Sequence, residues 1–231
     1  MTDALTYERD GDVAVLRLDD GKANVLGHPT IGAVQEALDR AESEARAVVL
    51  TGRPGQLSGG FDLREMGAGM DRARDLVIAG ARLHTRLFTF PRPVLVACTG
   101  NAVAAGAIVL LVGDWNVGQA GEFRIGLPET AIGMPLPHFA VEYARFRLSP
   151  PHFGRATDLA TMYDPPGAMA AGYLDAVTDD DVAGVARSEA HRLAATIQPG
   201  PFEVTRRLTR GPVAAAVLER LVADVTELTT G

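Results

Sequence analysis

Hydrophobic and polar positions alternate between two regimes along this chain. Val13 to Leu18, Ala47 to Thr51 and Val94 to Cys98 are short, nearly continuous apolar runs, and each predicts a buried strand. Leu5 to Arg9 reads as a further strand, joined to Val13–Leu18 by Asp10-Gly11-Asp12, whose Asp-Gly step signals a hairpin. Ile31, Val34, Ala37, Leu38 and Ala41 recur at helical spacing, predicting a helix from Ile31 to Ala45 with Thr30 as its N-cap. Asp71 to Phe90 repeats that spacing through Leu76, Val77, Ala81, Leu83, Leu87 and Phe88. Ile108 to Val112 suits a buried helix opened by the small residues Ala104 to Ala107. Asn116–Gly118 and Glu122–Ile125 read as short strands, so strand and helix alternate in the manner of an α/β class with parallel pairing.

Beyond Leu127 the pattern changes. Helices are expected at Phe139–Phe146, His152–Met162, Gly167–Ala171, Val182–Thr196 and Pro201–Leu228, punctuated by Pro150-Pro151 and Pro165-Pro166. The shift to an all-helical character near residue 165 divides the chain into a core at 1–166 and a helical region at 167–231. Val213, Val217, Leu218, Leu221 and Val225 form apolar faces in that tail and are expected at or near an oligomer interface, whereas Arg206, Arg207 and Arg210 read as a solvated basic patch.

Composition narrows the function classes. The chain has 231 residues, 47% of them hydrophobic, enough for a substantial core. A net charge of −7 argues against nucleic acid and anionic membranes as partners. No apolar run nears the ~20 residues that span a bilayer, and the charged opening MTDALTYERDGD lacks a signal core, so a cytoplasmic location is expected. The single cysteine, Cys98, sits in an apolar strand as an inert thiol, and the five histidines show no metal-ligand spacing.

Two glycine-rich turns carry the candidate chemistry. Ser58-Gly59-Gly60-Phe61 and Ala104-Ala105-Gly106 each present a backbone N–H at a helix start, and two such donors converging on one point make an oxyanion hole. Neither turn matches a nucleotide-phosphate motif.

Four segments in order resemble the crotonase superfamily, the enoyl-CoA hydratase/isomerase family: Ala23-Asn24-Val25-Leu26, Leu57 to Met66, Ala97 to Asp114 and Phe123 to Gly133. The resemblance implies a spiral of ββα turns with a C-terminal helical trimerisation region, assembly as trimers or hexamers, and acyl-CoA thioester substrates, with coenzyme A as part of the substrate rather than a cofactor. It places the two oxyanion donors on Phe61 and Ala105. It assigns Lys22, Ala23, Asn24 and Leu26 to the loop around the CoA nucleotide, and Gly60, Asp62 and Arg64 to substrate contact, with Arg64 toward the CoA phosphates. Helix capping and strand-end bonding also account for Asp62 and Asp114. The two glutamates of the family's hydratases fall here on Ile108 and Glu129, so one is absent. Ile108, Leu127, Ile132 and Met134 are expected as apolar neighbours that raise the basicity of Glu129, and His138 beyond them is read either as facing the pocket or as a surface or packing histidine. Hydration is naturally shared between two carboxylates, whereas moving a double bond needs one base. The expected activity is therefore a shift of 3-enoyl-CoA to 2-trans-enoyl-CoA; the alternatives are hydration, or acyl-CoA binding without turnover.

Overall fold

The long apolar runs meet in one sheet. A computed structural model describes residues 4–230, with side chains as far as Glu227, so the first three residues of the charged opening and residue 231 lie outside it. Strands β1 (Leu5–Asp10), β2 (Val13–Leu18), β3 (Ala47–Thr51), β5 (Val94–Cys98), β7 (Trp115–Gln119) and β9 (Ala176–Thr178) form a six-stranded sheet in that order. The β1–β2 pair is an antiparallel hairpin, and the other pairings are parallel. Both faces are covered, which is why β3 and β5 read as unbroken apolar runs. Val48, Leu50, Val94 and Val96 face the main core with α1 (His28–Glu44), α3 (Met70–Thr89) and α4 (Ala105–Val112). Val49, Leu95, Ala97 and Val117 face Val182, Ala186, Ala190 and Ala194 of α8 (Val182–Thr196).

A second, three-stranded parallel sheet is built from β4 (Gly55–Ser58), β6 (Gly100–Val103) and β8 (Ile125–Gly126). The sequence predicts turns at the first two positions and a strand over 122–125 at the third. These strands are too short and too rich in glycine to show a period; pairing creates them. Gly100 permits the closest approach, since a Cβ there would overlap the backbone of Gly55. After each of β3, β5 and β7 the chain steps into the small sheet and then into helical structure, which is the expected ββα spiral.

Several boundaries differ from expectation for identifiable reasons. Helix α1 begins at His28 with Pro29 in its first turn, and Thr30 is not its cap. Its first N–H, on His28, is instead satisfied by Glu65 of α2 (Leu63–Met66), whose carboxylate accepts it at 3.0 Å. Helix α5 runs from His138 to Arg147. Helix α6 (Pro150–Thr157) stops five residues short of Met162, because the chain must extend for Tyr163 to exchange two 2.9 Å backbone bonds with Ile125. The region after α7 (Pro165–Ala171) is not all helical, since β9 joins β7.

The tail α9 (Pro199–Thr230) corrects two expectations. Val217, Leu221 and Val225 are buried in the chain's own core, with Val213 partly so, leaving Leu218 exposed. Arg206 and Arg210 are not a solvated face. Both pair with Asp114, at 2.7 and 2.8 Å, and both donate to Phe88 O. Asp114 also accepts from Val94 N, as strand-end bonding predicted, and Arg207 alone of the three is exposed. No helix among the described residues is long and apolar enough to cross a membrane.

Candidate functional site

The carboxyl ends of the three small-sheet strands supply the site in order. The first, β4, ends at Ser58 and runs into Gly59-Gly60-Phe61. Here the loop from Asp20 to Leu26 is strapped alongside. Asn24, buried and at φ 51°, donates from Nδ2 to Leu18 O, Gln56 O and Leu57 O, while Ser58 Oγ donates to Asn24 O. The Asn24 side chain thus folds the loop. Leu26 N donates to Gly60 O at 2.8 Å and Asp62 N to Leu26 O at 3.3 Å, a bridge that skips Phe61 N. That N–H has no acceptor among the described residues.

The second strand, β6, ends at Val103, and Ala104 turns the chain into α4 at φ 55°, ψ −128°. Ala105 is the first residue of a wholly buried helix, and its N–H likewise has no acceptor among the described residues. Gly106 packs its backbone onto Ser58, where a Cβ would overlap the carbonyl. A Cβ on Gly60, itself at φ 97°, would lie 3.1 Å from the Ala104 Cβ and 3.4 Å from Ala105 N. The two turns are therefore in contact, and each keeps a free donor beside the other. Two such donors aimed at one point would make an oxyanion hole.

The third strand, β8, is held to the second turn by Ala104 N donating to Gly126 O at 3.0 Å. Three residues on, Glu129 opens a 3₁₀ turn, 7% exposed, with Oε2 buried and unpartnered. Burial pushes its carboxyl up to about 7, against a weaker opposing pull from its own backbone N–H. Ile108, one turn into α4, is fully buried, as is Leu127, but Ile132 is 63% exposed and Met134 43%. The desolvation of Glu129 thus does not come from Ile132 and Met134 as expected. Tyr173, fully buried with an unpartnered hydroxyl, is close enough for Glu129 to help raise its pKa, after burial and Tyr163.

The remaining expected residues separate into two groups. Lys22 and Arg64 are exposed, with no side-chain partner among the described residues, and Ala23 O accepts from Gly59 N. Asp62 caps α2 by accepting from Arg64 N. His138 lies at the junction of α5 and α9, with Nδ1 3.2 Å from Asp224 and Nε2 3.8 Å from Glu142. Cys98 is buried and its thiol pushed up to about 12, consistent with an inert role. A cavity of about 540 Å³ between the strand ends and α8, lined by Thr51, Thr99 and Arg187 among others, contains none of the site residues. Sequence reasoning missed Tyr173 and two residues of α3, Gly80 and His84. Their only signal, small or polar residues on an apolar helix face, is shared by ordinary packing positions.

Comparison with known proteins places the chain in a family. The sequence profile of the enoyl-CoA hydratase/isomerase family matches residues 8–215. An enoyl-CoA hydratase/isomerase family protein from Pseudomonas syringae superposes with a TM-score of 0.95 at 39% identity, covering 98% of each chain. An enoyl-CoA hydratase from Mycobacterium marinum gives 0.88 at 34% identity over 97% of each chain. The mitochondrial enoyl-CoA delta isomerase 1 of Rattus norvegicus is 26% identical over 96% of this chain and 80% of its own length.

Proposed function

The chain belongs to the enoyl-CoA hydratase/isomerase family, and from that premise we propose that it shifts the double bond of a 3-enoyl-CoA to position 2, with Glu129 as the single proton carrier. What carries this reading is Glu129, a buried carboxylate of raised basicity, together with the alkyl side chain of Ile108 at the position where the family resemblance puts a hydratase's other glutamate. The Glu129 carboxylate removes a proton from carbon-2. The electron pair moves into the thioester carbonyl, giving a dienolate whose oxygen accepts from Phe61 N and Ala105 N. The dienolate then takes the proton back at carbon-4, leaving the double bond between carbons 2 and 3 and Glu129 ionised as before. No atom is gained or lost, and no further cofactor is required. Lys22 and Arg64, exposed and unpaired near the two ends of the strapped loop and first donor, suit the phosphates of the CoA moiety.

The test compares two rates on purified protein. Conversion of a 3-enoyl-CoA to its 2-trans isomer is expected to exceed hydration of a 2-trans-enoyl-CoA; the reverse order makes the protein a hydratase, and binding without either reaction makes it a non-catalytic acyl-CoA binder. The same preparation is expected to scatter light as a trimer or hexamer, with the exposed Leu218 on the outer side of α9 at the contact.

A further inference from the structure

Helix α3 passes behind both donor residues. At Gly80 it has no side chain where the Phe61 ring lies; a Cβ there would overlap Cε1 and Cζ of that ring. One turn later on the same face, His84 is fully buried with Nε2 3.1 Å from Ala105 O. A carbonyl only accepts, so Nε2 carries the hydrogen and the ring is the neutral Nε2–H tautomer, with Nδ1 bare and unpartnered. The ring stacks on Phe139 at 22°, centroids 6.1 Å apart. Burial pushes the imidazole down to about 4, so this tautomer persists at neutral pH.

The Ala104–Ala105 peptide needs holding. Ala104 adopts φ 55°, ψ −128°, a conformation that disfavours any side chain and is relieved by rotating the peptide whose N–H is the second donor. The peptide's own carbonyl, Ala104 O, accepts from Ala107 N at 2.8 Å and Ile108 N at 3.2 Å, and two further bonds flank it: Ala104 N to Gly126 O on one side, and His84 Nε2–H to Ala105 O on the other. We infer that His84 is a positioning residue for the oxyanion hole, holding Ala105 so that its N–H points at the substrate oxygen, while Gly80 seats Phe61 on the same helix. One rigid element thereby sets the spacing of two donors that stand 44 residues apart in sequence. This rests on the reading of Phe61 N and Ala105 N as the oxyanion donors.

The test uses the full chain and three substitutions. His84→Phe keeps an aromatic ring beside Phe139 and removes the donor; His84→Gln retains an N–H of similar reach; His84→Asn retains the amide but falls short of Ala105 O. Isomerisation kinetics are read beside the ultraviolet band of bound acetoacetyl-CoA enolate, a species that the two aimed donors stabilise. His84→Phe and His84→Asn are expected to lower kcat roughly 10- to 100-fold, with KM within about twofold and the enolate band lost. His84→Gln is expected to restore both. If the Phe variant does not fold, the Asn and Gln pair carries the test. Folded variants that match wild type in kcat and enolate band overturn the inference, as does a loss that Gln fails to rescue. A wild-type protein that neither isomerises nor enolises the probe overturns the functional reading, and the inference with it.

Discussion

The two sheets of this protein do different work with different residues. In the six-stranded sheet, β3 and β5 are buried along their whole length by Val, Leu, Ala and Cys side chains, and their pairing partners repeat that chemistry. In the three-stranded sheet, strands of two to four residues contain Gly55, Gly100 and Gly126, and at Gly100 the backbone of Gly55 lies so close that a side chain is excluded. The large sheet gains its stability from apolar burial. The small one adds only Leu57, Ala102 and Ile125 to the core, and its three parallel strands lead into the segments that carry Phe61, Ala105 and Glu129. Because parallel strands end on the same side, whatever follows each of them converges. Stability and chemistry are thus separated within one spiral, and a mutation is expected to affect mainly one of them.

The strongest test of that separation is Glu129→Gln. Isomerisation is expected to fall by at least about 10³-fold with acyl-CoA binding nearly unchanged, measured by steady-state rates and calorimetry. In wild type the rate is expected to rise with pH through about 7 as the carboxylate forms. Stability should move the other way. The folded state holds this proton more tightly than the unfolded chain, whose ordinary value is 4.5, so the group's contribution is present below that value and lost as pH rises through about 7. The shift corresponds to about 3 kcal/mol at most. Glu129→Gln is therefore expected to melt at a higher temperature than wild type at pH 8 and to lose that advantage at pH 4. A variant that isomerises normally removes Glu129 from the reaction.

Next in size is the second donor. Ala105→Pro deletes the N–H at a helix position where proline itself is tolerated, and kcat is expected to fall roughly 10²–10³-fold. A melting curve must accompany the measurement, because Ala104 is already in a strained conformation. Wild-type turnover by a folded variant places the oxyanion elsewhere.

The smallest expected effect on turnover comes from the large sheet. Leu95, fully buried between β3 and β7 and facing α8, is expected on replacement by alanine to destabilise the fold by about 2–5 kcal/mol. The kcat of the protein that remains folded should stay within about twofold. A large kcat loss at matched folded fraction would show that the two sheets are mechanically coupled.

Much of the large sheet was legible because burial on both faces imposes a local pattern: Val13–Leu18, Ala47–Thr51 and Val94–Cys98 stand out as runs and appear as β2, β3 and β5. The helix from Asp71 to Phe90 was legible from its 3.6-residue period and differs from α3 by one residue at each end. The cap of α1 was not, because Glu65 reaches it from another element. Nor was the burial of Arg206 and Arg210, since a cation in sequence looks solvated until a carboxylate such as Asp114 is brought against it.

By itself the sequence determined the α/β alternation and the glycine-rich turns at Gly60 and Ala105, because each is a property of residue type and local spacing, whereas the missing second carboxylate at Ile108 follows from the resemblance to the family. Only the tertiary structure decided that Gly55–Ser58 and Gly100–Val103 are strands, that the turns carrying the two free N–H groups touch, and that Glu129 is desolvated while Ile132 and Met134 are exposed. It also decided that His84 reaches the carbonyl of Ala105. The physical reason is common to all of these: hydrogen-bond pairing, close backbone contact and burial of charge depend on segments distant in the chain, whereas apolar periodicity depends only on which face of its own helix or strand a residue occupies.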